Sequence, residues 1–255
     1  MSSTPRLIAF DLDDTLAPSK SPLDPAMIAL LVELLGRVEV CVISGGQFGQ
    51  FTAQIIDNLP DVDGATLARL HLMPTCGTQY YRYDGGWTQI YAQNLTHDEK
   101  TRALGAVEQS ARDLGYWQAE TWGPILEDRG SQITFSALGQ SAPVAEKTAW
   151  DPTGEKKSAL RERVQSLLPD LEVRSGGSTS VDITRQGIDK AYGMTRLAEL
   201  TGIDLQEMLF IGDRLDPDGN DYPVKVLGVP THAVDGWRDT AAYLEAWLAA
   251  HPAAR

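Results

Sequence analysis

Three carboxylates, Asp11, Asp13 and Asp14, crowd the stretch just after the apolar run Leu7 to Phe10, with Thr15 directly behind them. A short apolar run of this kind reads as a buried parallel strand, and in open α/β sheets ligands sit where the carboxyl ends of the strands open into loops. Side chains alternate along an extended chain, so Asp11 and Asp13 are expected to point the same way while Leu12 turns back toward apolar packing. Two carboxylates on one side repel each other unless a cation lies between them. A hard divalent ion with oxygen ligands, most simply Mg²⁺, resolves that repulsion and also attracts phosphate. A solvated acidic turn is the plainer reading of the same residues. An EF-hand loop does not fit, because its spacing would require Glu where Pro22 stands.

The segment Asp11-Leu12-Asp13-Asp14-Thr15 resembles the first motif of the haloacid dehalogenase (HAD) superfamily of phosphatases and phosphomutases. That resemblance implies that Asp11 is a nucleophile that becomes an aspartyl phosphate. It implies that Asp13 is the general acid and base.

The elements that must position these groups can be read in turn. Asp24-Pro25 is a helix start, and the run to Leu35 carries apolar residues at helical spacing before Gly36. Val38 to Ser44 is a second buried strand. Ser44-Gly45-Gly46 at its end lets backbone N–H groups approach an anion at the start of a helix expected from Gln47 to Leu59. The position matches the second HAD motif, which makes Ser44 a phosphate ligand by resemblance, with Gly45 and Gly46 beside it. His71 to Pro74 is a third strand. The texture then changes: Asp84-Gly85-Gly86 marks a hairpin, and Thr96 with Glu99 makes a capping box for a helix to about Leu114. Strands around 125–129, 133–138, 172–175 and 179–184, with a helix at 158–168, complete an α+β layer. The expected fold is α/β: a Rossmann-like parallel-sheet core, residues 1–79 and 187–255, and an inserted domain, 80–186, with an antiparallel sheet covered by two helices. Val226 to Val229 is expected to be the last core strand and Asp239 to Ala250 a closing helix.

Composition limits the function. The chain has 255 residues, 42% hydrophobic and 22% charged, with a net charge of −13, which argues against nucleic-acid binding. An anionic substrate therefore needs a local cationic pocket and a metal. No signal peptide or membrane-spanning run is evident, and a cytoplasmic location is expected. Cys41 and Cys76 suggest no disulfide framework.

The downstream half supplies partners for the first motif. Met208 to Gly212 reads as a strand that delivers Asp213 at its end as a third metal carboxylate, with Asn220 and Asp221 following on the same loop. Lys190 opens a helix, where a cation opposes the helix dipole. Beside a phosphate and an aspartate its ammonium would neutralise charge. Gly187-Ile188-Asp189-Lys190 together with Gly212-Asp213 and Pro217-Asp218-Gly219-Asn220-Asp221 is similar to the corresponding stretches of eukaryotic-type phosphomannomutases, HAD proteins of subclass IIB with a cap of the second type. This likeness implies the backbone carbonyl of Asp13 as a further metal oxygen, Arg129 as a substrate-phosphate arginine, and Ser180 and Asp182 as sugar contacts. It also exposes departures. Gln140 and Trp122 stand where those mutases carry arginines, and Asp14 replaces a common glycine. Gln cannot reproduce the bidentate fork of an arginine.

The expectation is Mg²⁺-dependent phosphotransfer, with the metal held by Asp11, Asp13, Asp213 and Asp221, and catalysis by Asp11, Asp13, Ser44 and Lys190. The substrate expected is a small phosphorylated sugar, hydrolysed rather than isomerised, with Gln140 and Asn220 among the groups that contact it. Phosphomannomutase is the alternative. A phospho-accepting signalling module is more distant, since the third strand ends in Pro74-Thr75-Cys76 rather than an Asp. A monomer or a cap-mediated homodimer is expected, with no nucleic-acid or membrane partner.

Overall fold

The computed structural model describes residues 4–252. Strand β1, Leu7–Phe10, is buried along its whole length, as expected of a strand covered on both faces. Asp24 caps helix α1, Pro25–Leu35, by accepting the Ala26 N–H at 2.9 Å, and Pro25 occupies the first turn. Strand β2 follows at Glu39–Ile43, then helices α2, Phe48–Gln54, and α3, Gly64–Leu67, strand β3, Leu70–Met73, and the hairpin of β4, Gln79–Tyr83, and β5, Trp87–Ala92.

The intervening segment begins with α4, His97–Asp113, whose capping box is complete: the Thr96 hydroxyl accepts the Glu99 N–H at 3.2 Å and Glu99 accepts the Thr96 N–H at 2.6 Å. Strands β6, Leu126–Asp128, and β7, Ile133–Ser136, lead to helices α5, Val144–Trp150, and α6, Glu155–Leu167, and then to β8, Leu171–Ser175, and β9, Ser180–Arg185. The chain closes with α7, Lys190–Thr201, β10, Met208–Gly212, α8, Tyr222–Leu227, β11, Thr231–Ala233, and α9, Trp237–Ala250.

Two compact units result. One comprises the chain up to Tyr91 and from Asp189 onward, and the other is Ala92–Ile188. The first holds a seven-stranded sheet in the order β11-β10-β1-β2-β3-β4-β5, parallel from β11 to β3, with β4 antiparallel to β3. Alternation along β1 sends Ile8 and Phe10 into one cluster with Leu31, Leu34 and Leu244, and Leu7 and Ala9 into another with Met194 and Leu197. The second unit is a four-stranded antiparallel sheet, β6-β7-β9-β8. Ile133, Phe135, Val181 and Ile183 pack there with Val107 of α4 and Leu160 of α6, so Thr134, Ser136, Ser180 and Asp182 share the opposite, polar face.

Several boundaries differ from the sequence reading. The hairpin β4–β5 extends the large sheet instead of opening the insertion, so the compact division falls after Tyr91 and not at residue 80. Residues 226–229 are not a strand. Pro223 starts helix α8 and Gly228, at φ 92°, ends it, while Val226 stays 69% exposed; the last core strand is β11. The helix expected from Gln47 to Leu59 stops at Gln54 and continues as a short 3₁₀ turn, Ile56–Asn58. Helices α3 and α5 were not foreseen.

Helix α7 lies hard against the loop after β3. A Cβ on Gly193 would meet Ile43 Cδ1 at 2.3 Å and the Cys76 carbonyl oxygen at 2.8 Å, and one on Gly77, at φ 84°, would meet Gly193 Cα at 2.5 Å. Gly193→Ala is therefore expected to destabilise the protein by about 1–3 kcal/mol through overpacking. Gly105→Ala, within α4 and with open space around it, is expected to raise stability by roughly 0.5–1 kcal/mol. Melting temperatures of the two variants against the parent protein check both signs.

Candidate active site

Parallel pairing sets the first unit's polar groups along one sheet edge. Phe10 lies opposite Val42 on one side and Ile211 on the other, so Asp11, Ser44 and Asp213 emerge from neighbouring strand ends. Lys190, the first residue of α7, is 1% exposed. Its Nζ reaches Asp11 Oδ1 and Asp221 Oδ1, each at 2.6 Å. Asp11 Oδ1 also accepts the Leu12 N–H at 2.7 Å, and Asp221 Oδ2 accepts the Arg214 N–H at 3.1 Å. Gly212 makes room for this: a Cβ there would meet Asp221 Oδ2 at 2.3 Å. Asp213 is held by Thr15, whose hydroxyl donates to Asp213 Oδ1 at 3.0 Å and accepts the Asp213 N–H at 3.1 Å.

Carboxylate oxygens of Asp11, Asp213 and Asp221 lie within 4.8 Å of one another. Three carboxylates against the single ammonium of Lys190 leave two negative charges in excess when all are ionised. Burial pushes the Asp11 carboxyl up to about 8; Lys190 opposes that shift, and Asp221 adds to it. Burial also raises Asp213, with Asp221 again adding. For Lys190, burial works toward the neutral amine, but Asp11 and Asp221 outweigh it and hold the ammonium charged. A buried set of hard oxygen donors with surplus negative charge fits a hard divalent cation.

The Asp13 carboxylate does not join this cluster. Its Oδ2 accepts Gln50 Nε2 at 2.9 Å, and its Oδ1 accepts the Lys20 N–H at 2.7 Å and Gln54 Nε2 at 3.3 Å. The expected alternation fails because the strand ends at Phe10 and the chain then turns, bridging Asp13 to Ala17, with Asp14 at φ 63°. That left-handed turn also accounts for Asp14: it suits glycine, and Asp is among the few other residues that tolerate it. Ser44 is buried and its hydroxyl accepts the Gly46 N–H at 3.2 Å. Gly45 and Gly46 follow at the same strand end, before α2. Asn220 is exposed and makes no side-chain hydrogen bond among the described residues. Gln50, Gln54 and Thr15 escaped the sequence reading as site residues. The i, i+4 spacing of the two glutamines on the helix after Ser44 was the available signal.

The second unit presents its own polar cluster. Thr134 donates to Asp182 Oδ1 at 2.7 Å, the Ser136 and Ser180 hydroxyls lie 2.9 Å apart, and Gln140 donates to Ser136 at 2.9 Å. Arg129 pairs with Glu127 at 2.6 Å, and Arg174 with Glu172 at 2.7 Å. Burial raises the Asp182 carboxyl, although Arg129 pulls it down.

Comparison with known proteins gives a consistent outcome. Residues 140–223 match the haloacid dehalogenase-like hydrolase family. A probable phosphomannomutase of Caenorhabditis elegans is 26% identical over 259 residues, covering 96% of each chain. The chain is thus similar to haloacid dehalogenase-like hydrolases over residues 140–223 and to phosphomannomutases along nearly its whole length. Phosphomannomutase 1 of Homo sapiens is likewise 26% identical, over 86% of this chain and 82% of that one. These likenesses support an enzyme that is a phosphatase or a phosphomannomutase. The fold is shared with a haloacid dehalogenase-like hydrolase from Bacteroides thetaiotaomicron, at a TM-score of 0.60 and 15% identity over 96% of this chain and 100% of that one. It is also shared with IMP-nucleotidase of Plasmodium falciparum, at a TM-score of 0.70 and 15% identity over 96% of this chain and 68% of that one. No helix among the described residues is long and apolar enough to cross a membrane.

Because Asp11 titrates higher in the folded protein than in the unfolded chain, the folded state binds the extra proton. In chelator, this site's contribution to stability is therefore present at low pH and is lost as pH rises toward about 8. A divalent cation must displace that proton. Added Mg²⁺ is expected to raise the melting temperature more near pH 8 than near pH 5.5, measured by calorimetry against EDTA. An equal shift at both values would contradict this account of the cluster.

Proposed function

We propose that the protein is a Mg²⁺-dependent phosphatase of small phosphosugars, acting in the cytoplasm through an aspartyl-phosphate intermediate. The observation that carries this reading is the buried Lys190 ammonium shared by Asp11 and Asp221 beside Asp213. Asp11, Asp213 and Asp221 would hold the ion, with the Asp13 backbone carbonyl as a further oxygen. When bound, Mg²⁺ supplies positive charge that draws the phosphoryl oxygens toward the cluster.

Asp11 attacks phosphorus with a carboxylate oxygen as the bond from phosphorus to the sugar oxygen breaks. Asp13 donates its proton to the departing sugar oxygen. It then accepts a proton from the water that attacks the aspartyl phosphate, which releases phosphate and restores Asp11. Lys190 and the Ser44 hydroxyl bind the non-bridging oxygens and offset their charge. Gln50 and Gln54 orient the Asp13 carboxylate. Groups of the second unit's polar face, Arg129, Gln140, Ser180 and Asp182, recognise the sugar.

A water acceptor is favoured by Gln140 standing where an arginine would grip a second phosphate, and by the carboxylates that face Arg129 and Arg174. Phosphomannomutase is the second reading, favoured by relatives of that name that match nearly end to end. One incubation separates them: mannose 1-phosphate, Mg²⁺ and a trace of glucose 1,6-bisphosphate, scored for inorganic phosphate and for mannose 6-phosphate. Phosphate release without isomerisation is expected, and Asp11→Asn should lower it by on the order of 10⁴-fold or more. Isomerisation with little release would overturn the phosphatase reading.

A further inference from the structure

The edge of the large sheet away from the strand-end acids carries a concentration of positive charge that the reaction does not use. A cavity of about 540 Å³ opens there, lined by Arg6, Arg37, Arg69 and Arg82 together with Glu39 and His71. Four guanidinium groups converge in a chain whose net charge is −13. Parallel topology gathers them: Arg6 precedes β1, Arg37 precedes β2 and Arg69 precedes β3, while Arg82 lies on β4 and runs back alongside β3.

Their charges are unevenly answered. Arg6 pairs with Glu207 at 3.1 Å, and Arg37 pairs with Glu33 at 2.7 Å and donates to the His251 carbonyl oxygen. These pairs reach solvent and are worth little. Arg82 donates one Nη2 hydrogen to the Ala68 carbonyl at 2.6 Å, but its Nε is buried with no acceptor among the described residues. The Arg69 side chain makes no hydrogen bond or ion pair among the described residues, and only its charge acts on Glu39. Glu39 is the cavity's one carboxylate, and it is engaged by His71 Nε2 at 2.8 Å, while His71 Nδ1 meets the Tyr80 hydroxyl at 2.7 Å. The unanswered Arg69 guanidinium, with Arg82 beside it on the wall of a cavity of the size that holds small ligands, is what a multiply charged oxyanion requires; the Arg82 Nε itself is closed off from solvent, so Arg82 would serve through its Nη groups.

We propose that this cavity is a second anion site that binds a small phosphoryl anion carrying two or more negative charges, with Arg69 and Arg82 as its principal donors. The chemistry is common to inorganic diphosphate and to the phosphate of a small metabolite. Guanidinium forks match phosphoryl oxygens bidentately, and the volume exceeds that of a single phosphate. The site does not depend on the phosphatase reading, because none of its residues belongs to the acid cluster.

Calorimetric titration in EDTA, which keeps a divalent ion from recruiting phosphate to the acid cluster, tests it directly. Inorganic diphosphate and glycerol 3-phosphate serve as the two probes. At least one is expected to bind the parent protein at one equivalent, and which one binds tells a free diphosphate from a phosphomonoester. Arg69→Ala should weaken that binding about tenfold or more, with Arg69→Lys falling between. Melting temperature and phosphosugar turnover of Arg69→Ala should match the parent, since the side chain holds nothing else in place. No binding of either probe, or equal affinity in Arg69→Ala and parent, would overturn the proposal. So would loss of binding together with loss of turnover, which would place the anion at the acid cluster. Failure of phosphosugar turnover in every variant would count against the proposed activity and leave the titration readable.

Discussion

A lysine ammonium buried to 1% exposure cannot stay charged without partners, and Lys190 has two carboxylates at 2.6 Å. Removing one member of such a buried set typically costs about 3–5 kcal/mol, because it strands the opposite charge out of water. Much of the first unit's local structure can be understood as holding this arrangement. Asp189 caps α7 and so fixes where Lys190 begins. Gly193 and Gly77 let the helix approach the loop after β3, and Gly212 leaves space for the Asp221 carboxylate. Strand β1 delivers Asp11 from a core sealed on both faces. Even so, the ammonium answers only part of the negative charge. That surplus fits a divalent cation, and without one burial lifts the Asp11 carboxyl, with Asp221 adding to the shift.

The second unit solves a different problem. Its sheet buries one face under α4 and α6, and the other carries hydroxyls, amides and matched ion pairs. Thr134, Ser136, Ser180 and Asp182 satisfy one another across β7 and β9, which keeps polar groups on a rigid sheet at defined spacing.

Much of this was legible in the sequence because local signals agreed with the fold. The apolar run before Asp11, the capping box at Thr96 and Glu99, the Asp-Gly-Gly hairpin and the Gly-Asp at the end of β10 each carry a backbone instruction. The misses arose where tertiary context decided. Val226 and Leu227 look strand-like, yet Pro223 and Gly228 bracket a surface helix. Hairpin β4–β5 could have belonged to either unit, and only pairing with β3 assigns it. Asp13 was expected beside Asp11 by alternation, which holds only while the chain stays extended; the turn through Asp14 sends it to Gln50 and Gln54 instead. Side chains that act by holding another residue, as those glutamines do, leave little trace in composition or spacing.

The central claim is that Asp11 becomes covalently phosphorylated. The most direct measurement is to quench turnover of a phosphosugar in acid, digest the protein and weigh the peptide that contains Asp11 by mass spectrometry. The account predicts an acid-stable, hydroxylamine-labile adduct of one phosphoryl group on Asp11, absent in Asp11→Asn and retained in a variant slowed at Asp13. Turnover with no adduct on that peptide, or an adduct mapping to another residue, would contradict it.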